Sequence, residues 1–276
     1  MESLFDAADR CLSVCEIEEK LRLTEQTAQA WRDGLLSLQP QSEPEPISEP
    51  GRPAKPALIP PSDVPKRRFG SRTGIIALIH AITHIEFNAI NLAWDAVYRF
   101  RHLPQQFYHD WVQVAAEEAY HFQLLRKRLN ELGSDYGDLP AHNGLWDIAT
   151  RTAFDPLIRM ALVPRVLEAR GLDVTPGIIT RLRQAGDDNT AAILEIILRD
   201  EIGHVAIGSR WFKYCCDQRG LDSEQTFRAL ISHHFIGKIS GPFHYEARQK
   251  AGFTATELEA LERLETPTVT SKNPIL

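Results

Sequence analysis

Two motifs of the same form, EEAYH at 117–121 and DEIGH at 200–204, recur in the two halves of this chain. Each reads acid-Glu-x-x-His. In a chain with ten histidines, chance gives about 0.8 Glu-x-x-His motifs, and about 0.1 when a second acid must precede the Glu. Residues three apart share one face of an α-helix. Each motif therefore presents a carboxylate and an imidazole on the same side of a predicted helix.

The segments around these motifs predict an all-α protein. Long amphipathic stretches are punctuated by isolated Gly and Pro, and no alternating strand pattern occurs between about 71 and 249. Four long helices with shorter additions are typical of a helical bundle. The predicted helices span 16–38, 71–100, 104–132, 155–171, 176–219 with an interruption near 186, 223–235, 242–249 and 254–264.

The long helix before each motif carries one acid in an otherwise apolar stretch. Glu86 is the only acid between 74 and 94, and Glu168 is the only acid between Asp155 and Asp173. Glu86 precedes Glu118 by 32 residues, and Glu168 precedes Glu201 by 33 residues. A dimetal site in a helical bundle uses this ligand order, and mixed carboxylate and imidazole ligation suits iron or manganese. The predicted metal ligands are Glu86, Glu118, His121, Glu168, Glu201 and His204.

A proline-rich stretch separates the N-terminal segment from the long helices. Nine of the seventeen prolines lie between Pro40 and Pro65, so this stretch reads as an extended linker or a wrapping arm. It ends in the basic cluster Lys66, Arg67 and Arg68, a solvated loop or an anion site. The predicted division is an N-terminal helical segment (1–39), a Pro-rich arm (40–68), a dimetal bundle (69–219) and a C-terminal helical extension (220–276).

Composition narrows the class of protein. The formal net charge of −6 argues against a dominant nucleic-acid-binding face. The four cysteines lack the spacing of a zinc or redox motif. The acidic N-terminus does not resemble a signal peptide, and no window reaches the ~18 apolar residues of a membrane span. We therefore expect a soluble cytoplasmic protein with no membrane partner.

The ligand pattern resembles the ferritin-like di-iron carboxylate superfamily over roughly 71–219. The segments IE at 85–86, EEAYHF at 117–122, LEARGLD at 167–173 and DEIGH at 200–204 are also similar to its DUF455 branch. The EAR segment at 168–170 is similar to the ferritin-like tRNA hydroxylase. The resemblance implies a ferritin-like four-helix bundle with extra N- and C-terminal helices.

The same resemblance implies a non-haem di-iron oxidase or hydroxylase that activates dioxygen. It implies two Fe ions, with Mn/Fe possible, a small-molecule or modified-nucleoside substrate, and an electron-donor protein or other reductant. It leaves the oligomeric state open. One alternative is an iron-handling protein without an organic substrate. Another is a tRNA-modifying hydroxylase, which needs a basic surface that Lys66, Arg67 and Arg68 could supply.

Further residues have two interpretations each. Glu117 and Asp200 are either polar helix positions or acceptors that hydrogen-bond a ligand histidine. Arg170 and Arg248 either bind an anionic substrate or form structural salt bridges. Pro164, four residues before Glu168, predicts a kink in its helix.

Overall fold

The computed structural model describes residues 2–40, 42–64, 71–234, 239 and 241–263. Within these ranges the protein is all-α, as the sequence predicts. A minimal parallel pairing joins β1 (Glu2–Ser3) to β2 (Leu36–Ser37). The helices are α1 (Leu4–Ser13), α2 (Ile17–Arg32), α3 (Arg72–Arg99), α4 (Gln105–Glu131), α5 (Gly144–Arg151), α6 (Pro156–Leu162), α7 (Ala169–Gln184), α8 (Asp188–Gln218), α9 (Ser223–His234), α10 (Tyr245–Lys250) and α11 (Ala255–Arg263).

The chain divides into two compact units that alternate along the sequence. The first unit contains Met1–Pro156 and Thr175–Asp200. The second unit contains Leu157–Val174 and Glu201–Leu276. The basic cluster Lys66, Arg67 and Arg68 lies outside the described residues.

Helices α3 and α4 form the core of the first unit. The hydroxyl of Ser71 caps α3 by accepting a hydrogen bond from the Gly74 amide at 3.1 Å. Helix α4 follows Pro104 and ends before Gly133, whose φ of +73° suits glycine. The two helices pack along each other, α1 packs on α3, and α2 packs on α4. Large side chains such as Trp94, Phe107 and Phe122 are buried there.

Helix α3 is also long and apolar enough to cross a membrane by length and composition. Its most apolar window is 67% buried within the protein. Burial of this kind is typical of the core helix of a soluble protein. It is the one helix with this property in the described ranges.

The proline-rich segment packs on the first unit as a wrapping arm. The Gly51 amide donates to the Leu12 carbonyl at 2.7 Å, and the Trp146 indole donates to the Ser48 carbonyl at 2.9 Å. The Ile59 amide donates to the Ala141 carbonyl at 2.9 Å. These bonds satisfy backbone groups that an extended, proline-rich chain cannot pair within itself.

Some predicted helix boundaries are wrong. The break expected near Gly171 is absent, and α7 continues through Pro176 to Gln184. Helices α1 and α5 were not predicted, because with ten and eight residues they are too short to show a clear helical period. Helix α7 ends at Gln184, which agrees with the interruption predicted near 186, and the φ of +79° at Gly186 allows the Asp187 amide to bond the Leu182 carbonyl at 2.9 Å.

The helix around Pro164, where the sequence predicts a kink, contains a π turn. Residues Val163–Glu168 form a π-helical segment between α6 and α7, and the Ala169 amide donates to the Pro164 carbonyl. A π turn holds one residue more than an α turn and is found often at functional sites. The predicted ligand Glu168 is the last residue of this segment.

The arm depends on a glycine at position 51. A Cβ there would lie 2.3 Å from the Ser13 carbonyl oxygen and 2.4 Å from that of Val14. We expect Gly51→Ala to lower the free energy of unfolding by about 1–3 kcal/mol, because the backbone must move to relieve the overlap. Urea denaturation followed by circular dichroism measures this. Gly177→Ala is the control, since nothing lies within 4 Å of its Cβ and alanine favours a helix. An equal loss of unfolding free energy in Gly51→Ala and Gly177→Ala would contradict the requirement for glycine at position 51.

Candidate metal centre

Three predicted ligands meet in the core of the first unit. Glu86 lies on α3, and Glu118 and His121 lie on α4, three residues apart on one face. Their residues are 3%, 1% and 0% exposed. We call Glu86, Glu118 and His121 the first triad. Two carboxylates are thus buried side by side, an arrangement that requires a nearby cation or bound protons.

The spacing of the first triad fits a metal ion. His121 Nδ1 lies 3.4 Å from Glu86 Oε2 and 3.5 Å from Glu118 Oε2. One ligand atom from each residue lies within 4.8 Å of the others. Transition metals bind carboxylate oxygen and imidazole nitrogen at about 2.0–2.2 Å, so neighbouring ligands of one ion lie about 3 to 3.5 Å apart. The donor atoms are therefore close to the separation that a single ion needs.

Asp200 fixes the orientation of the His121 ring. His121 Nε2 donates to Asp200 Oδ2 at 3.1 Å, so Nδ1 is the nitrogen that faces the two carboxylates. Arg199 Nε and Nη2 donate to the two oxygens of Asp200 at 2.8 and 3.1 Å. Burial tends to raise the pKa of Asp200, but the bonds from Arg199 and His121 hold it below its usual value. Asp200 therefore stays ionised and can support a metal-binding imidazole.

The carboxylates of the first triad control the charge of His121. Burial alone would lower the pKa of this histidine, but its interactions with Glu118 and Glu86 raise the pKa to about 11. Without metal, a proton on His121 therefore offsets part of the buried negative charge. A metal ion that binds Nδ1 must displace this proton.

The other three predicted ligands belong to the second unit. We call Glu168, Glu201 and His204 the second triad. His204 Nδ1 lies 3.5 Å from Glu201 Oε1, the same separation as between His121 Nδ1 and Glu118 Oε2. The distance between imidazole nitrogen and carboxylate oxygen is thus the same in the two Glu-x-x-His motifs. Glu168 is half-buried at the end of the π-helical segment.

The remaining predicted residues have different surroundings. Glu117 is half-buried and accepts a hydrogen bond from Gln113 within α4 at 2.9 Å. Arg170 is exposed. The side chain of Arg248 is 3% exposed and bonds Asp173 through two nitrogens, at 2.8 and 2.9 Å. Arg248 therefore forms a structural salt bridge, the second of its two interpretations.

Two residues near the motifs were missed by the sequence reasoning. Arg199 bonds Asp200, and Gly208 lies against Pro164, where a Cβ would be 2.3 Å from Pro164 Cβ and Cγ. Gly208 had a signal, because glycine within a helix costs about 1 kcal/mol relative to alanine and often marks close packing. Arg199 had none, since an arginine beside an aspartate is common.

Comparison with known proteins gives a family but no described activity. The model of a family described as "Protein of unknown function (DUF455)" matches residues 13–259. A protein of Haemophilus influenzae described as "Uncharacterized protein" is 48% identical over 220 residues, which cover 77% of this chain and 76% of the relative. No solved structure matches this chain.

Metal binding at the first triad should release a proton. The folded pKa of His121 is about 11, above the ordinary value of 6.5. Its proton therefore stabilises the metal-free protein fully below about pH 6.5, and this contribution is lost as the pH rises through about 11. At pH 8, we expect an added divalent ion to release about one proton per first triad. Calorimetry in two buffers of different ionisation enthalpy measures this, and metal binding with no proton release would contradict it.

Proposed function

The chain belongs to the DUF455 family, and we propose that it is a non-haem di-iron oxidase or hydroxylase built on a ferritin-like bundle. The observation that carries the proposal is the buried first triad, in which two carboxylates and one imidazole converge. The second triad repeats the same residue types in the same order along the chain. Both the donor atoms and their duplication favour a pair of iron or manganese ions.

In this proposal each triad holds one ion, and Fe/Fe and Mn/Fe are both compatible with the ligands. Two iron ions bound there would supply the activation of dioxygen. The four carboxylates Glu86, Glu118, Glu168 and Glu201 offset the charge of two divalent ions. This balance accounts for the single acid, Glu86 or Glu168, in each of two otherwise apolar stretches.

The residues around the first triad support that role. Asp200 accepts a hydrogen bond from Nε2 of His121, which keeps the ring in one orientation. This bond also makes Nδ1 more basic and so a stronger metal ligand. Arg199 holds Asp200 in turn. Burial of Glu86, Glu118 and His121 keeps bulk water away from the ions that these residues would hold.

The proposed substrate is a small molecule or a modified nucleoside, and the proposed electron source is a donor protein or another reductant. We place the protein in the cytoplasm. All four cysteines are free thiols, Cys11, Cys15, Cys215 and Cys216, which suits a reducing compartment.

Removal of a ligand tests the metal part of the proposal. We expect Glu118→Ala and His204→Ala each to weaken iron binding by more than about 100-fold, because even residues that only support a ligand are worth 10–100-fold. Equilibrium dialysis with metal analysis measures the iron per chain. Glu195→Gln is the control, an exposed glutamate of the same helix α8. Two irons per chain in both alanine variants would rule out the proposed centre.

Product analysis tests the oxidase part. The reduced, iron-loaded protein is incubated with isotopically labelled dioxygen and either a metabolite extract or cellular RNA. Mass spectrometry should find a product that has gained one labelled oxygen atom, or one that has lost two hydrogens, and Glu118→Ala should abolish it. A labelled nucleoside would identify the RNA-modifying alternative. Growth of an iron mineral with no organic product would favour an iron-handling protein and contradict the proposal.

A further inference from the structure

The segment that carries Glu168 is held by three buried contacts within the second unit. The segment is Val163–Glu168, the π-helical turn that continues into α7. In an α-helix each residue advances by about 100°, so the extra residue of a π turn changes the direction of every side chain that follows it. The direction of Glu168 therefore depends on whether the π turn is kept.

The first contact presses the π turn onto α8. Pro164 packs so closely on Gly208 that a Cβ at Gly208 would lie 2.3 Å from Pro164 Cβ and Cγ. Gly208 is buried and follows His204 by four residues, about one helical turn. The packing that brings the π turn against α8 is thus on the same face of α8 as a proposed metal ligand.

The second contact joins the π turn to α11. Arg165 Nη2 donates to Glu257 Oε1 at 2.7 Å, and the two side chains are 3% and 5% exposed. The Arg165 guanidinium also lies 4.1–4.8 Å from the centres of three aromatic rings on α8, on α9 and beside α11. Those rings are Phe212, Phe227 and Phe253. Arg165 is therefore held by its ion pair with Glu257 and by cation–π contacts with three rings.

The third contact joins the start of α7 to α10. Arg248 bonds both carboxylate oxygens of Asp173, and its Nη2 also donates to the Ala169 carbonyl at 3.3 Å. The His244 amide donates to Asp173 Oδ1 at 2.9 Å. Because Ala169 directly follows Glu168, this contact fixes the backbone beside the proposed ligand.

We propose that Arg165, Glu257, Arg248, Asp173 and Gly208 are positioning residues that keep the π turn and so direct the Glu168 carboxylate as a metal ligand. The inference rests on the proposed function. It assigns a role to α10 and α11, since they supply Arg248 and Glu257. The C-terminal helices then act on the second triad through the backbone of residues 163–173, without contributing a ligand.

Two variants that leave every ligand in place test the proposal. Glu257→Gln keeps the shape and one acceptor but removes the charge that Arg165 pairs with. Gly208→Ala removes no charge and favours the helix, but its methyl group must displace Pro164. We expect each variant to weaken binding of one of the two ions by about 10- to 100-fold, the range for residues that support a ligand.

The matched control is Asp187→Asn. Asp187 pairs with Arg128 at 3.0 Å in the first unit, is 8% exposed, and lies away in sequence from the π turn. It should lower the urea midpoint as a buried ion pair does, but leave the binding of both ions unchanged. The measurements are metal content at equal folded fraction by circular dichroism, the visible spectrum of the cobalt(II) form, and amide hydrogen exchange of residues 163–173 in the metal-free protein.

The expected result is two ions in the wild type and the control, one tight ion and an altered cobalt spectrum in Glu257→Gln and Gly208→Ala, and faster exchange in residues 163–173 of these two variants. Wild-type affinity for both ions in the folded variants would overturn the positioning role while leaving the proposed function in place. A wild-type protein that binds no ion would overturn both, and this failure is recognised because it precedes any substitution.

Discussion

The first unit buries two carboxylates beside each other, and their negative charge must be offset within the core. Glu86 and Glu118 are almost fully buried, and both face Nδ1 of His121. Negative charge at this depth is costly unless a cation shares the space. In the metal-free protein the proton on His121 supplies a positive charge that offsets part of this negative charge. The raised pKa of His121 is the direct consequence. A metal ion is the natural replacement for this proton, because the same three groups are its proposed ligands.

The rest of the first unit keeps this charged site in one arrangement. Helices α3 and α4 carry the triad, and their packing sets the distance between Glu86 and the Glu118–His121 pair. Lys20 on α2 reaches into the same core, where its ammonium donates to the Cys11 carbonyl at 2.6 Å and to Asn91 at 2.8 Å. Burial lowers the pKa of Lys20 to about 8. The two hydrogen bonds from Lys20 join α2 to α1 and to α3, so the N-terminal helices stabilise the helix that carries Glu86.

The second unit contains an unusual turn, the π turn at Val163–Glu168, which its other contacts hold in place. A π turn is less favourable than an α turn, and here it contains a proline that cannot donate a backbone hydrogen bond. Gly208 makes room for that proline, and the pairs Arg165–Glu257 and Asp173–Arg248 hold the chain on either side of Glu168. Buried ion pairs contribute less to stability than to a unique arrangement in some proteins. A unique arrangement is what the carboxylate of Glu168 requires in its proposed role as a metal ligand.

The sequence by itself determined the all-α class, the long helices and the candidate ligands, because helix periodicity and the Glu-x-x-His spacing are local properties. It also indicated Asp200 as an acceptor for a histidine, one of the two interpretations of that residue. Only the tertiary structure decided that Asp200 bonds His121, that the helix around Pro164 contains a π turn, and that Arg248 is buried in a salt bridge. Each of these depends on partners distant in the chain: 79 residues separate His121 from Asp200, and 75 separate Asp173 from Arg248. No local pattern encodes such pairs, since packing alone brings them together.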